Sequence, residues 1–224
     1  MIRTMIFGWM ALSAFASVGQ TLEAVLDKHF EVHQQDLWDQ LRTVTGTGYW
    51  HHRTKGDHNV EYYIMPGKFL MQNRKEQFIE ASAGFQGWEM AKWTGKKVVD
   101  LDVKQEALLQ IVFYFGSPLK HIEIVEFKGK VSVDHIECNW LQEVKGSIVR
   151  DYFIDATSHL LYRINIKTAD FELSRTVKEY KNFSGLQLPT VVTMKTNEVE
   201  AEYSFYDITI GDRIDPSIYK KPNQ

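Results

Sequence analysis

The chain has 224 residues, of which 44% are hydrophobic and 25% charged, with a formal net charge of −3. This composition is typical of a globular protein that is long enough to build one domain around a sizeable core. Acidic and basic residues are interspersed, and no basic stripe or polybasic segment is present. The charge pattern therefore argues against a nucleic-acid-binding protein and against adhesion to anionic lipid surfaces.

The first 19 residues have the pattern of a signal peptide. Arg3 precedes a short apolar run, Met5–Phe15, and small residues follow at Ala14-Phe15-Ala16 and Ser17-Val18-Gly19. We expect cleavage between residues 16 and 20, which leaves residues 20–224 as a single exported domain. The run is shorter than the roughly 20 apolar residues that span a membrane. A buried N-terminal helix is the alternative.

Residues 21–41 have the periodicity of an amphipathic helix, and Thr21 is its predicted N-cap. The apolar face repeats at steps of three and four residues: Leu22, Leu26, Phe30, His33, Leu37 and Leu41. His29 and His33 stand four residues apart, a spacing that suits metal ligands, but no third ligand is evident. Packing of this pair is the simpler interpretation, and no metal site is predicted.

The rest of the chain reads as short strands joined by tight turns. The predicted strands are Gly46–Arg53, Val60–Met65, Lys68–Lys75, Phe78–Ala83, Gly87–Trp93, Val98-Val99, His121–Phe127, Val131–Val144, Ser147–Ile154, Leu160–Thr168, Phe171–Asn182, Leu186–Thr196 and Glu198–Ile210. The turns include Lys55–Asn59 and Lys128-Gly129-Lys130. With no βαβ rhythm, this pattern predicts an α+β domain with a strongly curved antiparallel meander and helices across its mouth.

The stretch Asp102–Pro118 interrupts the strands and predicts a helix. Asp102 and Gln105 are spaced as a capping box, and Gly116 with Pro118 provides a stop. The apolar arc of this helix spans about 200°, wider than the ~100° stripe of a surface helix. We therefore expect either a helix buried on most sides or a lid over an apolar interior. A buried strand is the alternative.

No spacing in the sequence indicates catalysis. There is no nucleophile elbow, no phosphate-binding glycine loop and no C-x-x-C motif. Cys138 is the only cysteine, which excludes an intramolecular disulfide, and its neighbours predict a small buried apolar residue. We expect a protein that is not an enzyme and that holds no cofactor.

Large apolar side chains crowd the strands and the helix around residue 90. They suit an acyl chain or a similar ligand, which needs apolar area and shape tolerance rather than hydrogen bonds. The candidate ligand-binding and lid residues are Phe69, Met71, Trp88, Met90, Trp93, Leu108, Leu109, Val112, Phe113 and Phe115. The alternative is that these residues form an ordinary core.

The order of several weak motifs resembles the periplasmic outer-membrane lipoprotein carriers, and in particular the lipoprotein-sorting proteins of that family. After the opening helix the motifs are Thr43-Val44-Thr45-Gly46-Thr47-Gly48, Pro66-Gly67-Lys68-Phe69, Gly87-Trp88, Tyr152-Phe153-Ile154-Asp155, Leu160-Leu161-Tyr162-Arg163-Ile164, Gly185-Leu186-Gln187-Leu188-Pro189 and Ile214–Pro222. The resemblance spans almost all of the predicted mature chain. None of the motifs is a catalytic signature.

This resemblance implies the LolA/LolB-like fold, an incomplete (unclosed) β-barrel with a helical lid over a hydrophobic cavity. It further implies a monomeric periplasmic carrier or chaperone that binds acyl chains of lipoproteins or lipids and transports them towards the outer membrane. Inner- and outer-membrane transport proteins are the implied partners. The alternative within the same fold is a non-enzymatic envelope sensor or scaffold that acts through a protein partner.

Overall fold

Antiparallel strands dominate the computed structural model, which describes residues 21–73, 75, 78–83, 86–102, 105 and 111–222. For residues 78–83, 86 and 93 the backbone alone is described. The predicted signal peptide lies outside these ranges. Within them, no helix is both long and apolar enough to cross a membrane.

Thirteen strands are found in the described part of the chain. They are β1 Val44–His52, β2 Gly56–Met65, β3 Lys68–Asn73, β4 Phe78–Ala83, β5 Gln86–Met90, β6 Val98–Asp100, β7 Glu126–Val133, β8 Ile136–Lys145, β9 Ile148–Asp155, β10 Leu161–Lys167, β11 Glu172–Phe183, β12 Leu186–Thr196 and β13 Glu200–Ile210. Alternating apolar residues explain them, because successive side chains of a strand point to opposite faces.

The strands form one curved sheet in the order β6-β5-β4-β3-β2-β1-β13-β12-β11-β10-β9-β8-β7. Strand β13 pairs with β1, which joins the two halves of the meander through Val44 and Ile210. Among the described strands, β6 and β7 each have a neighbour on one side only, so the barrel is not closed. The predicted fold, one domain with an unclosed antiparallel barrel, is confirmed.

The predicted opening helix is two helices. Helix α1 spans Leu22–His33 and helix α2 spans Gln35–Gln40. Thr21 is the N-cap, as predicted, and its side chain accepts a hydrogen bond from the Ala24 amide. Gln34 separates the helices because its backbone is left-handed, with φ of 58°, which no continuous helix permits. Short 3₁₀ turns occur at Lys92–Thr94, Pro118–His121 and Pro216–Tyr219.

The predicted helix Asp102–Pro118 is correct at its start and wrong at its end. Asp102 and Gln105 form a reciprocal capping box, with each side chain accepting from the other's backbone amide. Residues 106–110 lie outside the described residues. Residues 111–117, named here the 111–117 segment, are turns and bends and not helix. Apolar length does not distinguish a buried irregular segment from a buried helix.

The hairpin β7–β8 turns at a different place from the predicted one. Lys128-Gly129-Lys130 continues the strand, and the register shifts between Phe127 and Gly129 as in a β-bulge, with Gly129 at φ of 107°. The turn is made by Asp134 and His135, which are both left-handed. The predicted turn at Lys55–Asn59 is also too long, since β2 begins at Gly56.

Two apolar clusters lie on opposite faces of the sheet. The inner cluster contains most of the core and draws side chains from both halves of the meander. The outer cluster consists of buried Leu70, Trp88, Val98 and Tyr219. Strand β3 separates them by alternation, because Phe69 and Met71 belong to the inner cluster while Leu70 belongs to the outer one. We call the two sides of the sheet the inner and outer faces accordingly.

Candidate functional site

The inner face is an almost continuous apolar surface. Its buried side chains include Trp50, Tyr62, Ile64, Phe69, Met71, Leu141, Tyr152, Ile154, Ile164, Ile166, Leu173, Val177, Val192, Met194, Tyr203 and Phe205. Aromatic rings from different strands meet above the sheet: the centroids of Tyr62 on β2 and Phe205 on β13 lie 4.3 Å apart, although β1 runs between these two strands. Such a surface must be covered by other parts of the chain or by a ligand, since exposed apolar area is costly in water.

The 111–117 segment covers part of this surface. Val112 is fully buried, and Ile111 and Phe113 are nearly so. The ring of Phe113 lies 5.4 Å from that of Phe205 on β13, measured between centroids, and 6.1 Å from that of Trp38 on α2. The segment therefore packs between the sheet and the N-terminal helices.

Polar bonds from α1 and α2 fix the end of the 111–117 segment. The Ser117 amide donates to Gln35 Oε1 at 2.8 Å, and the Ser117 hydroxyl lies 2.7 Å from His29 Nε2. His29 Nδ1 lies 2.8 Å from the carbonyl oxygen of His159, which can only accept. Nδ1 therefore carries the proton, and Nε2 accepts the hydrogen bond from Ser117. Burial lowers the pKa of His29 to about 4, which keeps the ring neutral in this arrangement.

Gly116 permits this close approach. Its φ is +86°, and an added Cβ would lie 2.9 Å from Gln35 Nε2 and 3.4 Å from Trp38 Cβ. A residue with a side chain is disfavoured by both the backbone conformation and the space.

His33 and Trp38 continue the contact between the helices. The rings of His29 and His33 stack with centroids 5.5 Å apart, and His33 stacks on Trp38 at 5.8 Å. Burial lowers the pKa of His33 to about 3. Among the described residues, no group of three or more histidine, cysteine, aspartate or glutamate side chains is arranged to hold a metal ion. Here the histidine pair packs against other residues, as the simpler interpretation predicted.

A buried arginine holds the middle of the 111–117 segment. Arg175 lies on β11 with 1% of its surface exposed, between inner-face Leu173 and Val177. Its Nε and Nη2 atoms both donate to the carbonyl oxygen of Val112, each at 3.3 Å. The Tyr114 ring lies against the guanidinium, with its centroid 5.4 Å from Cζ. Burial lowers the pKa of Arg175 below its usual value.

No family model matches the sequence, and no curated protein matches it. A solved LolA superfamily protein from Nitrosomonas europaea superposes with a TM-score of 0.56 at 11% identity, covering 90% of this chain and 98% of its own. The chain has a LolA-like fold. A DUF1329 family protein from Desulfovibrio piger superposes with a TM-score of 0.57 at 9% identity, covering 88% and 97%. Identities this low establish a shared fold, and activity must be argued from this chain's own residues.

The LolA-like fold brings together half of the predicted site residues. Phe69, Met71, Val112 and Phe113 are buried in the inner cluster, and Phe115 packs against it. Their role in binding a ligand stays a prediction.

The other half lies elsewhere or outside the description. Trp88 and Met90 belong to the outer cluster, on the opposite face of the sheet from the 111–117 segment. The register explains this placement, because on β5 the side chains of Trp88 and Met90 share one face and Glu89 takes the other. Leu108 and Leu109 and the side chain of Trp93 lie outside the described residues.

Sequence reasoning missed the polar groups that fasten the 111–117 segment. Arg175 had a detectable signal, since the alternation Leu173-x-Arg175-x-Val177 places a charge on the apolar face of a strand. Ser117 and Gln35 had none, because a hydrogen bond across 82 positions leaves no local pattern. Cys138 is fully buried, as predicted, and burial raises the pKa of its thiol to about 11.

Proposed function

We propose that the protein is a non-enzymatic periplasmic carrier. In this proposal it binds acyl chains of lipoproteins or lipids against the inner face and moves them, as a monomer, towards the outer membrane. The 111–117 segment is the lid.

The observation that carries the proposal is the way in which the inner face is covered. Ile111, Val112 and Phe113 are buried in the inner cluster, yet the 111–117 segment belongs to no strand of the sheet. It is attached through Arg175, His29 and Gln35, whose side chains bond to Val112 and Ser117. A cover without a ladder of backbone hydrogen bonds can be displaced at lower cost than a strand.

An acyl chain is the ligand that replaces such a cover most directly. Each methylene that leaves water contributes about 0.8 kcal/mol, so about ten methylenes contribute roughly 8 kcal/mol without any polar anchor. This is enough to offset the loss of the apolar contacts of a few lid side chains, at about 1.5–3 kcal/mol each. The inner face offers apolar and aromatic side chains of varied shape, which suits chains of different length.

Native mass spectrometry of protein purified from the envelope of its own host tests the proposal. We expect a mass adduct that corresponds to a lipid or lipopeptide. The delipidated protein should then take up the uncharged dye Nile red and release it to an added lipid.

Tryptophan quenching locates the bound chain. Trp38 contacts the lid, whereas Trp88 lies in the outer cluster. Dibromostearic acid carries bromine atoms that quench nearby indoles. The quenched fraction of the tryptophan fluorescence should fall in Trp38→Phe, where Trp50 is left as an inner-face indole, and should not fall in the matched control Trp88→Phe.

A clean unliganded mass together with no dye uptake contradicts the carrier. Recovery of a defined membrane-protein partner by a lipid-free preparation would instead favour the sensor or scaffold.

A further inference from the structure

Arg175 is a buried charge whose partners do not neutralise it. Among the described residues, no carboxylate lies within ion-pair distance of its guanidinium, and its Nη1 atom is buried without a hydrogen-bond partner. Leaving a charged donor unpaired in an apolar interior is costly. By contrast Arg150, also on the inner face, is paired with Glu143 at 3.1 Å. The positive charge of Arg175 is therefore not neutralised by the described part of the chain.

The bonds that Arg175 does make point to the missing partner. Nε and Nη2 form one edge of the guanidinium, with two parallel N–H groups that match the two oxygens of a carboxylate or phosphate. The single neutral carbonyl of Val112 occupies this edge with two bonds of 3.3 Å. Charge-assisted bonds to an anion are typically about 2.7–2.9 Å long and roughly twice as strong. An anionic group would thus satisfy the same edge better than the lid does.

The surroundings of Arg175 favour a partner that carries a single negative charge. The Tyr114 ring covers the guanidinium, and the hydroxyl of Tyr180 is already bonded to the carbonyl oxygen of Leu161. The neighbours Leu173 and Val177 on the same strand are apolar. A single negative charge neutralises Arg175, whereas a second would itself be left unpaired in this apolar interior.

We propose that Arg175 binds the monoanionic head group of an amphiphile whose acyl chain lies on the inner face. The anion takes the Nε–Nη2 edge from the Val112 carbonyl, so that binding of the head group releases the middle of the lid. This inference rests on the proposed function and adds to it the chemical class of the ligand. Arg175 is fastened to the lid when the site is empty and to the ligand when it is full.

Displacement of Nile red by two amphiphiles of equal chain length tests the inference. Hexadecanoate should bind the wild-type protein on the order of ten- to a hundredfold more tightly than hexadecanol, as expected for a charge-assisted pair. Arg175→Leu should reduce this ratio to about one to two, mainly by weakening hexadecanoate binding. Arg163→Leu is the control, because it removes the same charge from β10 where Arg163 pairs with Asp134 instead.

A second pair of ligands distinguishes the two sources of a monoanion. Lysophosphatidylglycerol carries one net negative charge, and lysophosphatidylcholine with the same chain carries none. A preference for hexadecanoate alone assigns a carboxylate, and a preference for lysophosphatidylglycerol alone assigns a phosphodiester head group. Either preference must disappear in Arg175→Leu.

Hydrogen exchange tests the release of the lid. At saturation, hexadecanoate should raise exchange in the peptide that covers residues 111–117 more than hexadecanol does, and the difference should vanish in Arg175→Leu. Equal exchange with both ligands overturns the displacement of Val112.

The failures of the two proposals are distinguishable. If Nile red and all four amphiphiles fail to bind, the carrier function itself is wrong. If they bind but acid and alcohol displace the dye equally, or if Arg175→Leu keeps the acid preference, the anion site is wrong and the carrier stands. The melting temperature of each variant shows that it is folded, and Arg175→Lys, which keeps the charge but loses the planar edge, should keep part of the preference.

Discussion

The two faces of the sheet are covered by two different kinds of contact. On the outer face, the C-terminal turn Pro216–Tyr219 packs Tyr219 against Leu70 and Trp88, and the Trp88 indole donates to the Tyr219 carbonyl oxygen at 3.3 Å. On the inner face, the 111–117 segment is fastened by a buried guanidinium and a neutral histidine.

Under the proposed function, the outer cover is permanent and the inner cover is exchanged for a ligand. The contacts in the outer cluster are mainly apolar, and its Trp88 indole already has an acceptor in the Tyr219 carbonyl oxygen. Arg175 donates hydrogen bonds, and His29 donates one and accepts one; both can change partners, and an anion would bind Arg175 more strongly than the Val112 carbonyl does. The following predictions test whether stability and binding divide between the two covers in this way.

The largest expected effect concerns the outer cover. Trp88→Ala should lower the free energy of unfolding by about 3–5 kcal/mol, because a buried indole is lost and a cavity remains. Nile red affinity should not change, since Trp88 lies on the opposite face from the lid. Urea denaturation and dye titration of the same preparation measure both quantities. A change of more than about threefold in affinity contradicts the division.

The matched change on the inner cover is Phe113→Ala. Stability should fall by about 3 kcal/mol, since Phe113 packs against Phe205 and Trp38. Here, however, dye uptake should become faster as well, because the lid loses its main apolar anchor. Stopped-flow fluorescence measures this rate, and an unchanged rate would show that the 111–117 segment does not gate the inner face.

Acid should weaken the contacts of the lid through His29 and His33. Burial lowers their pKa values from 6.5 to about 4 and about 3, so the folded protein keeps both rings neutral. Below pH 6.5 the unfolded chain binds protons that the folded chain does not, and stability falls as the pH drops towards the folded values. Between pH 7 and pH 5 each histidine should cost about 2 kcal/mol.

Urea denaturation at the two pH values separates the histidines. His33→Phe keeps an aromatic ring on Trp38 and should remove about 2 kcal/mol of the pH dependence. His121→Gln, at an exposed position, should leave the dependence unchanged. If both variants behave like the wild type, the buried pair is not the source.

A smaller effect is expected where the lid passes closest to the helices. Gly116→Ala should cost about 1–3 kcal/mol, since a Cβ at φ of +86° would press on Gln35. Gly146→Ala is the control: its φ is +61°, but nothing lies within 4 Å of an added Cβ, so only the backbone strain remains, about 1 kcal/mol. Urea denaturation measures both variants. If Gly116→Ala and Gly146→Ala lose the same free energy of unfolding, the contact with Gln35 does not contribute to the loss.

The smallest change in stability is expected at Arg175. Arg175→Leu removes a buried, unneutralised charge but leaves the Val112 carbonyl oxygen without this donor. The two effects have opposite signs, so the free energy of unfolding should shift by less than about 1 kcal/mol. Arg150→Leu, which leaves Glu143 without its ion pair, should cost more. A loss above about 3 kcal/mol in Arg175→Leu would mean that the arginine is needed for the fold itself.

The sequence predicts the strands of the sheet well because the alternation of apolar and polar residues along a strand is a local pattern. On β3, for example, alternation puts Phe69 and Met71 in the inner cluster and Leu70 in the outer one. The predicted turn between β7 and β8 was wrong because glycine occurs both in bulges and in turns. Gly129 makes a bulge, while Asp134 and His135 make the turn without glycine. Hairpin chemistry favours glycine only statistically.

The residues of the candidate site are harder to predict from the sequence, because they depend on which side of the sheet each segment packs against. Trp88 and Phe113 are both large apolar residues in the same region of the sequence, but they pack on opposite faces of the sheet. The bond between Arg175 and Val112 joins positions 63 apart. Such contacts follow from the closure of the whole meander and not from any window of the chain.

Among the described strands, β6 and β7 each bond to one neighbour only. These two edges can therefore move apart by a change in curvature without breaking a single backbone hydrogen bond, which a closed barrel does not allow. For the proposed carrier, a wider gap between β6 and β7 would enlarge the space along the inner face, which would let amphiphiles with more than one acyl chain bind.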